Sequence, residues 1–61
     1  MMIKGLDVVA GVLRLAREII NAGDIMLATK YMTNRADLVR SRGTEEQKEE
    51  FSNLRKAASA T

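Results

Sequence analysis

The stretch that decides the fold is residues 6–20, LDVVAGVLRLAREII, which holds most of the large aliphatic side chains of a 61-residue protein. On a helix, side chains three, four and seven positions apart share one face. The stretch then carries two adjacent apolar rows: Val8, Val12, Leu15 and Ile19 form the first, and Leu6, Val9, Leu13, Ala16 and Ile20 form the second. The rows cover roughly half the circumference, whereas a stripe of about 100° suffices for one neighbour. We therefore expect helix 1 to contact more than one partner helix.

The length and composition of the chain limit how it can be stabilised. A domain of 61 residues buries only about 60% of the surface that it exposes when unfolded. Cysteine and histidine are both absent, so neither disulfides nor a zinc site of the usual kind can reinforce it. Oligomerisation is another means by which small domains gain stability. We therefore predict a homodimer and expect no metal or other cofactor.

The charged residues near the start of the sequence indicate where in the cell the protein is expected. Lys4 is the only charge before the apolar run, and the run itself contains Asp7, Arg14 and Arg17. These charges argue against a membrane-spanning helix, which needs about 20 largely uncharged residues, and against a signal peptide. The lack of cysteine suits a reducing compartment. We expect a soluble, cytoplasmic protein with no membrane partner.

Two glycine-containing segments divide the chain into three predicted helices. Gly23 can take the left-handed conformation that ends a helix, and Asp24 can cap the next one, which favours an αα-hairpin over a continuous helix. Gly43 is interpreted as a second stop, followed by Thr44 as N-cap and Gln47 as the last member of a T-x-x-Q capping box. The predicted helices cover about 6–22, 24–42 and 44–58 of a single domain spanning 1–61.

The second and third helices offer different amounts of apolar surface. Helix 2 carries a long row and a short one: Ile25, Ala28, Met32, Ala36 and Val39 in the first, and Leu27, Tyr31 and Leu38 in the second. Helix 3 offers little beyond Phe51, Leu54 and Ala58, a seam too thin to cover a full row of helix 1. We predict an all-α, three-helix unit, an αα-hairpin plus a weakly amphipathic third helix, in a homodimeric helical bundle. Whether helix 3 packs on its own hairpin or on that of the partner stays open.

Gly11 is unusual inside a predicted helix, because glycine there costs up to about 1 kcal/mol relative to alanine. We assign it to the polar side of helix 1. Two interpretations stay open, a tolerated weakness or the close approach of another backbone.

The residue types do not favour catalysis. Histidine, the usual general base, and cysteine, a strong nucleophile, are missing. The acidic residues from Glu45 to Glu50 favour a solvated first turn that matches the helix dipole over an acid pair or a hard-metal site. The chain also has no glycine-rich phosphate-binding motif. We expect a protein that is not an enzyme.

Interaction with another macromolecule is the remaining class of function. We predict a small non-catalytic protein–protein interaction or assembly module that self-associates through helix 1 and can also offer a helical face to a larger protein. The expected interface residues are Val8, Val12, Leu15 and Ile19. The alternative is a small dimeric nucleic-acid-binding regulator whose phosphate contacts come from Arg35, Arg40 and Arg42 near the end of helix 2. That alternative is weakened by the apolar first turn of helix 2, where a recognition helix carries base-reading polar groups.

Overall fold

The computed structural model describes residues 7–60, and in that range it contains three α-helices and no strand. Helix α1 spans Val8–Asn21, α2 spans Ile25–Arg42 and α3 spans Glu45–Ser59. The three helices pack against one another. The predicted all-α, three-helix fold is therefore confirmed, while the expected helical start at Leu6 lies outside the described residues.

Each helix begins at a side-chain cap. Asp7 Oδ1 accepts a hydrogen bond from the backbone amide of Ala10 at 3.0 Å, and Asp24 Oδ1 accepts one from that of Leu27 at 3.1 Å. At α3, Thr44 Oγ1 accepts from the amide of Gln47 at 3.1 Å, and Gln47 Oε1 accepts from the amide of Thr44 at 3.0 Å. The predicted capping box is present. Because the first amide groups of a helix have no partner within it, these caps fix where each helix begins.

Gly23 closes α1 in the way that the sequence predicts. Its φ is +88°, in the left-handed region. The amide of Gly23 donates to the Ile20 carbonyl at 2.9 Å, and the amide of Asp24 donates to the Ile19 carbonyl at 3.2 Å. This paired arrangement is a Schellman motif, and it satisfies carbonyl groups that the helix end would leave without partners. The chain therefore reverses at residues 22–24, and α1 and α2 form a hairpin.

Gly43 ends α2 for a different reason. Its backbone is extended, with φ −78° and ψ 153°, a conformation open to any residue. A Cβ atom at this position would lie only 2.6 Å from the Val39 carbonyl oxygen. The glycine is required by this close backbone approach and not by a left-handed conformation.

The core lies between the three helices. Within the described range it consists of nine buried apolar residues: Val9, Val12, Leu13, Ala16, Ala28, Met32, Val39, Phe51 and Ala58. Three of the nine are alanines, so the helices can approach closely. The described α3 supplies Phe51 and Ala58 and packs on both helices of its own chain. Polar contacts add to this packing, since Arg17 of α1 forms an ion pair with Glu50, and Gln47 Nε2 donates to Asp7 Oδ2 at 3.2 Å.

In the part of the chain that the structure describes, the helices do not combine the length and the apolar content that crossing a membrane requires.

Candidate interaction surface

The first apolar row of α1 divides between the core and the surface. Val12 is only 3% exposed and belongs to the core of the single chain. Val8 and Leu15 are 44% and 43% exposed, and Ile19 is half-buried against the core. Of the four residues predicted to form the oligomer interface, the structure therefore leaves three at least partly accessible to a second chain.

Helix α2 extends this exposed row. Leu27 is 48% exposed, and Tyr31 and Leu38 are half-buried. At positions i, i+4 and i+11 they lie on one side of α2, and α3 packs on another side, over Ala36 and Val39. Val8 of α1 lines one cleft with Arg42 of α2, and Arg42 lies four positions after Leu38, so we infer that this side of α2 lies next to the exposed side of α1. We call the combined surface the open face, and its members are Val8, Leu15, Ile19, Leu27, Tyr31 and Leu38.

Helix α3 covers α1 from the opposite direction. The Arg17–Glu50 ion pair and the hydrogen bond from Gln47 to Asp7 both lie on that side. Leu13 lies beneath them in the core. One side of α1 thus makes polar contacts with α3, and the other side exposes aliphatic side chains to solvent.

Charged groups border the open face. The Arg35 guanidinium lies 5.0 Å from the centroid of the Tyr31 ring, a cation–π contact. Arg42 lines a shallow cleft together with Asp7, Val8 and Val9 at the end of the hairpin. An apolar centre with a polar rim is the usual anatomy of a protein–protein interface.

The three arginines of the nucleic-acid hypothesis do not form one patch. Arg35 and Arg42, seven positions apart, lie on the α1 side of α2. Arg40 forms an ion pair with Asp37 and lines the groove between α2 and α3. The other basic residues of this groove are Lys48 and Arg55, and the Lys48 ammonium lies 3.5 Å from Glu45.

Sequence reasoning missed Lys48 and Arg55. The grouping depends on how α3 lies across α2, and no residue pattern in the sequence reports that packing. Each exposed acid–base pair in this groove contributes little to stability. Arg40 and Lys48 are paired with Asp37 and Glu45, whereas the Arg55 guanidinium lies 5.9 Å from the centroid of the Phe51 ring.

Comparison of the chain with protein-family models, with curated proteins and with solved structures finds no match. The open face must therefore be interpreted from its own geometry.

The polar side chains of residues 7–60 lie at least partly at the surface. The core of the described range contains no polar or charged residue, and no buried side-chain nitrogen or oxygen there lacks a hydrogen-bond partner. Within the same range, no three acidic side chains are placed to hold a metal ion. What the arrangement offers chemically is apolar contact with a charged border.

Proposed function

We propose that this protein is a small, non-catalytic helical module that self-associates through the open face. The supporting observation is the exposure of Val8, Leu15 and Leu27, each above two-fifths, on one side of a very short chain. Single exposed apolar residues are normal on protein surfaces. Several adjacent ones mark an interaction site more often.

The free energy available from this surface suits reversible association. Full burial of a valine or leucine side chain contributes about 1.5–3 kcal/mol, and roughly half of that remains to be gained at each exposed position. Over two copies, the gain is comparable with the lower estimates of the cost of association, about 4 kcal/mol. The half-buried Ile19, Tyr31 and Leu38 add to the gain. We therefore expect a dimer that dissociates on dilution.

The nucleic-acid alternative has less support. It needs several cations on one surface to neutralise successive phosphates. Arg35 stacks on Tyr31, whereas Arg40 is on another side of α2 and is paired with Asp37. Two subunits would therefore not present Arg35, Arg40 and Arg42 as a continuous patch.

Sedimentation velocity over a range from micromolar to millimolar protein tests the proposed self-association. The wild type should shift from monomer to dimer as concentration rises, and Leu15→Glu should stay monomeric and folded. Leu15 is the better position for a charge than Ile19, because Ile19 packs against the core and a charge there would also disturb folding.

Met26→Glu is the matched control. Met26 is 84% exposed and lies on the side of α2 that carries Lys30 and Thr33, away from the open face. The same charge there should leave the dimer unchanged. A folded wild type that remains monomeric at millimolar concentration would contradict the proposal, and so would equal loss of association in both variants.

A further inference from the structure

Gly11 lies between Val8 and Leu15 in the sequence, beside the exposed row of α1. It lies three positions after Val8 and four before Leu15 but also four after Asp7, so helical spacing places it where the predicted polar side of α1 meets the border of the open face. Apart from its own stretch of helix, no heavy atom of the described chain lies within 4 Å of the point where a Cβ would stand. Packing within residues 7–60 therefore gives no reason for a helix-weakening glycine here.

We propose that the open face receives a second copy of this chain, with the two α1 helices antiparallel and crossing at Gly11. This inference rests on the proposed self-association and adds its geometry. A two-fold axis near residues 11 and 12 would place Val8 beside Leu15 of the partner subunit, and would repeat that contact by symmetry. The missing side chain at the crossing lets the two backbones come close, since the distance between packed helices depends on the residues at the contact.

The charges on the outer edge of α1 favour this orientation. Asp7 and Arg14 are both exposed and lie seven positions apart, on the edge of α1 between Gly11 and the side that α3 covers. In the antiparallel arrangement, Asp7 faces Arg14 of the partner subunit on both sides of the axis. In a parallel pair the two-fold axis runs along the helices and puts this edge of each α1 on opposite sides of the interface, so Asp7 and Arg14 would gain no such pairing.

Arg14 and Asp7 are both able to form this ion pair between the two subunits. Arg14 Nε lies 3.9 Å from Glu18 Oε2 in a pair that is largely exposed, so this pairing is weak and exchangeable. The Asp7 carboxylate already accepts bonds from the Ala10 amide and from Gln47 Nε2. A carboxylate has about four acceptor positions, which leaves capacity for an arginine.

Cysteine cross-linking tests the orientation directly, because the natural chain has no cysteine. Val8→Cys and Leu15→Cys each introduce one thiol, and seven residues separate the two positions by about 10 Å along the helix. A disulfide needs Cα atoms about 4.4–6.8 Å apart. The antiparallel dimer should therefore give a fast mixed disulfide when differently tagged variants are combined, and slow cross-linking of either variant alone.

A parallel dimer would give the reverse pattern, with each variant cross-linking to itself. Met26→Cys, exposed but outside the open face, measures the rate of random collision. Rates for both open-face variants no higher than this control would also overturn the inference.

Gly11→Leu provides a second readout through sedimentation. A side chain at the crossing should weaken dimerisation by about tenfold or more, since overpacking a contact is unfavourable, while circular dichroism still shows a folded helical chain. If the wild type is dimeric but Gly11→Leu binds as tightly, or the cysteines pair in the parallel pattern, the crossing is wrong and self-association stands. If the wild type is monomeric throughout, both proposals fail.

Discussion

Alanine should act in opposite directions at Gly43 and at Gly11. At Gly43 the new Cβ would meet the Val39 carbonyl oxygen at 2.6 Å, a backbone atom that cannot move without opening the last turn of α2. We expect Gly43→Ala to lower the free energy of unfolding by about 1–3 kcal/mol. At Gly11 the Cβ would enter open space inside a helix, so Gly11→Ala should raise the stability of the monomer by about 0.5–1 kcal/mol.

Urea denaturation of both variants in the Leu15→Glu background measures these effects without a contribution from the dimer. Equal destabilisation by the two substitutions would contradict the glycine assignments. The sequence predicted the left-handed Gly23 from its place between two helical patterns. The role of Gly43 was not predictable in the same way, because it depends on where the Val39 carbonyl oxygen lies once α2 has formed.

The start of α3 depends on a hydroxyl group. Thr44 Oγ1 and Gln47 Oε1 satisfy one backbone amide each, and Gln47 also donates to Asp7 at the start of α1. Thr44→Ala should lower the free energy of unfolding by about 1 kcal/mol, because one helix amide loses its acceptor. Thr44→Ser keeps the hydroxyl and should retain most of the stability in the same urea titration. If Thr44→Ser lowers the free energy of unfolding as much as Thr44→Ala does, the threonine methyl group and not the hydroxyl cap is responsible for the stability.

The packing of α3 was only partly predictable. The capping box and the seam of Phe51, Leu54 and Ala58 follow from spacing, and Phe51 and Ala58 are indeed buried. The seam nevertheless packs against both α1 and α2 of the same chain, and the core between the helices contains small residues such as Ala16 and Ala28. The division of the first α1 row between the core and the surface likewise depends on tertiary packing. Val12 is buried and its row neighbours Val8 and Leu15 are exposed, because the part of the row that becomes covered depends on where the other two helices pack.

At the scale of the whole molecule, the small core makes folding and association interdependent. Nine buried residues, three of them alanines, form the core of the described chain. A chain of 61 residues that buries so little has a small margin of stability. Any partner that binds only the folded state adds to that margin by mass action. The open face would therefore contribute to stability as well as to recognition.

This coupling predicts that the thermal midpoint of the wild type rises with protein concentration. For a domain of this size, a change of 1 kcal/mol shifts the midpoint by about 4–8 °C. Because each dimer yields two unfolded chains, a tenfold increase in concentration should raise the midpoint on the order of 3–5 °C. Thermal unfolding followed by circular dichroism at several protein concentrations measures this shift. The midpoint of Met26→Glu should rise as that of the wild type does, and the midpoint of Leu15→Glu should be the same at all concentrations. A wild-type midpoint independent of concentration, over the range in which sedimentation shows the dimer, would mean that the open face associates without stabilising the fold.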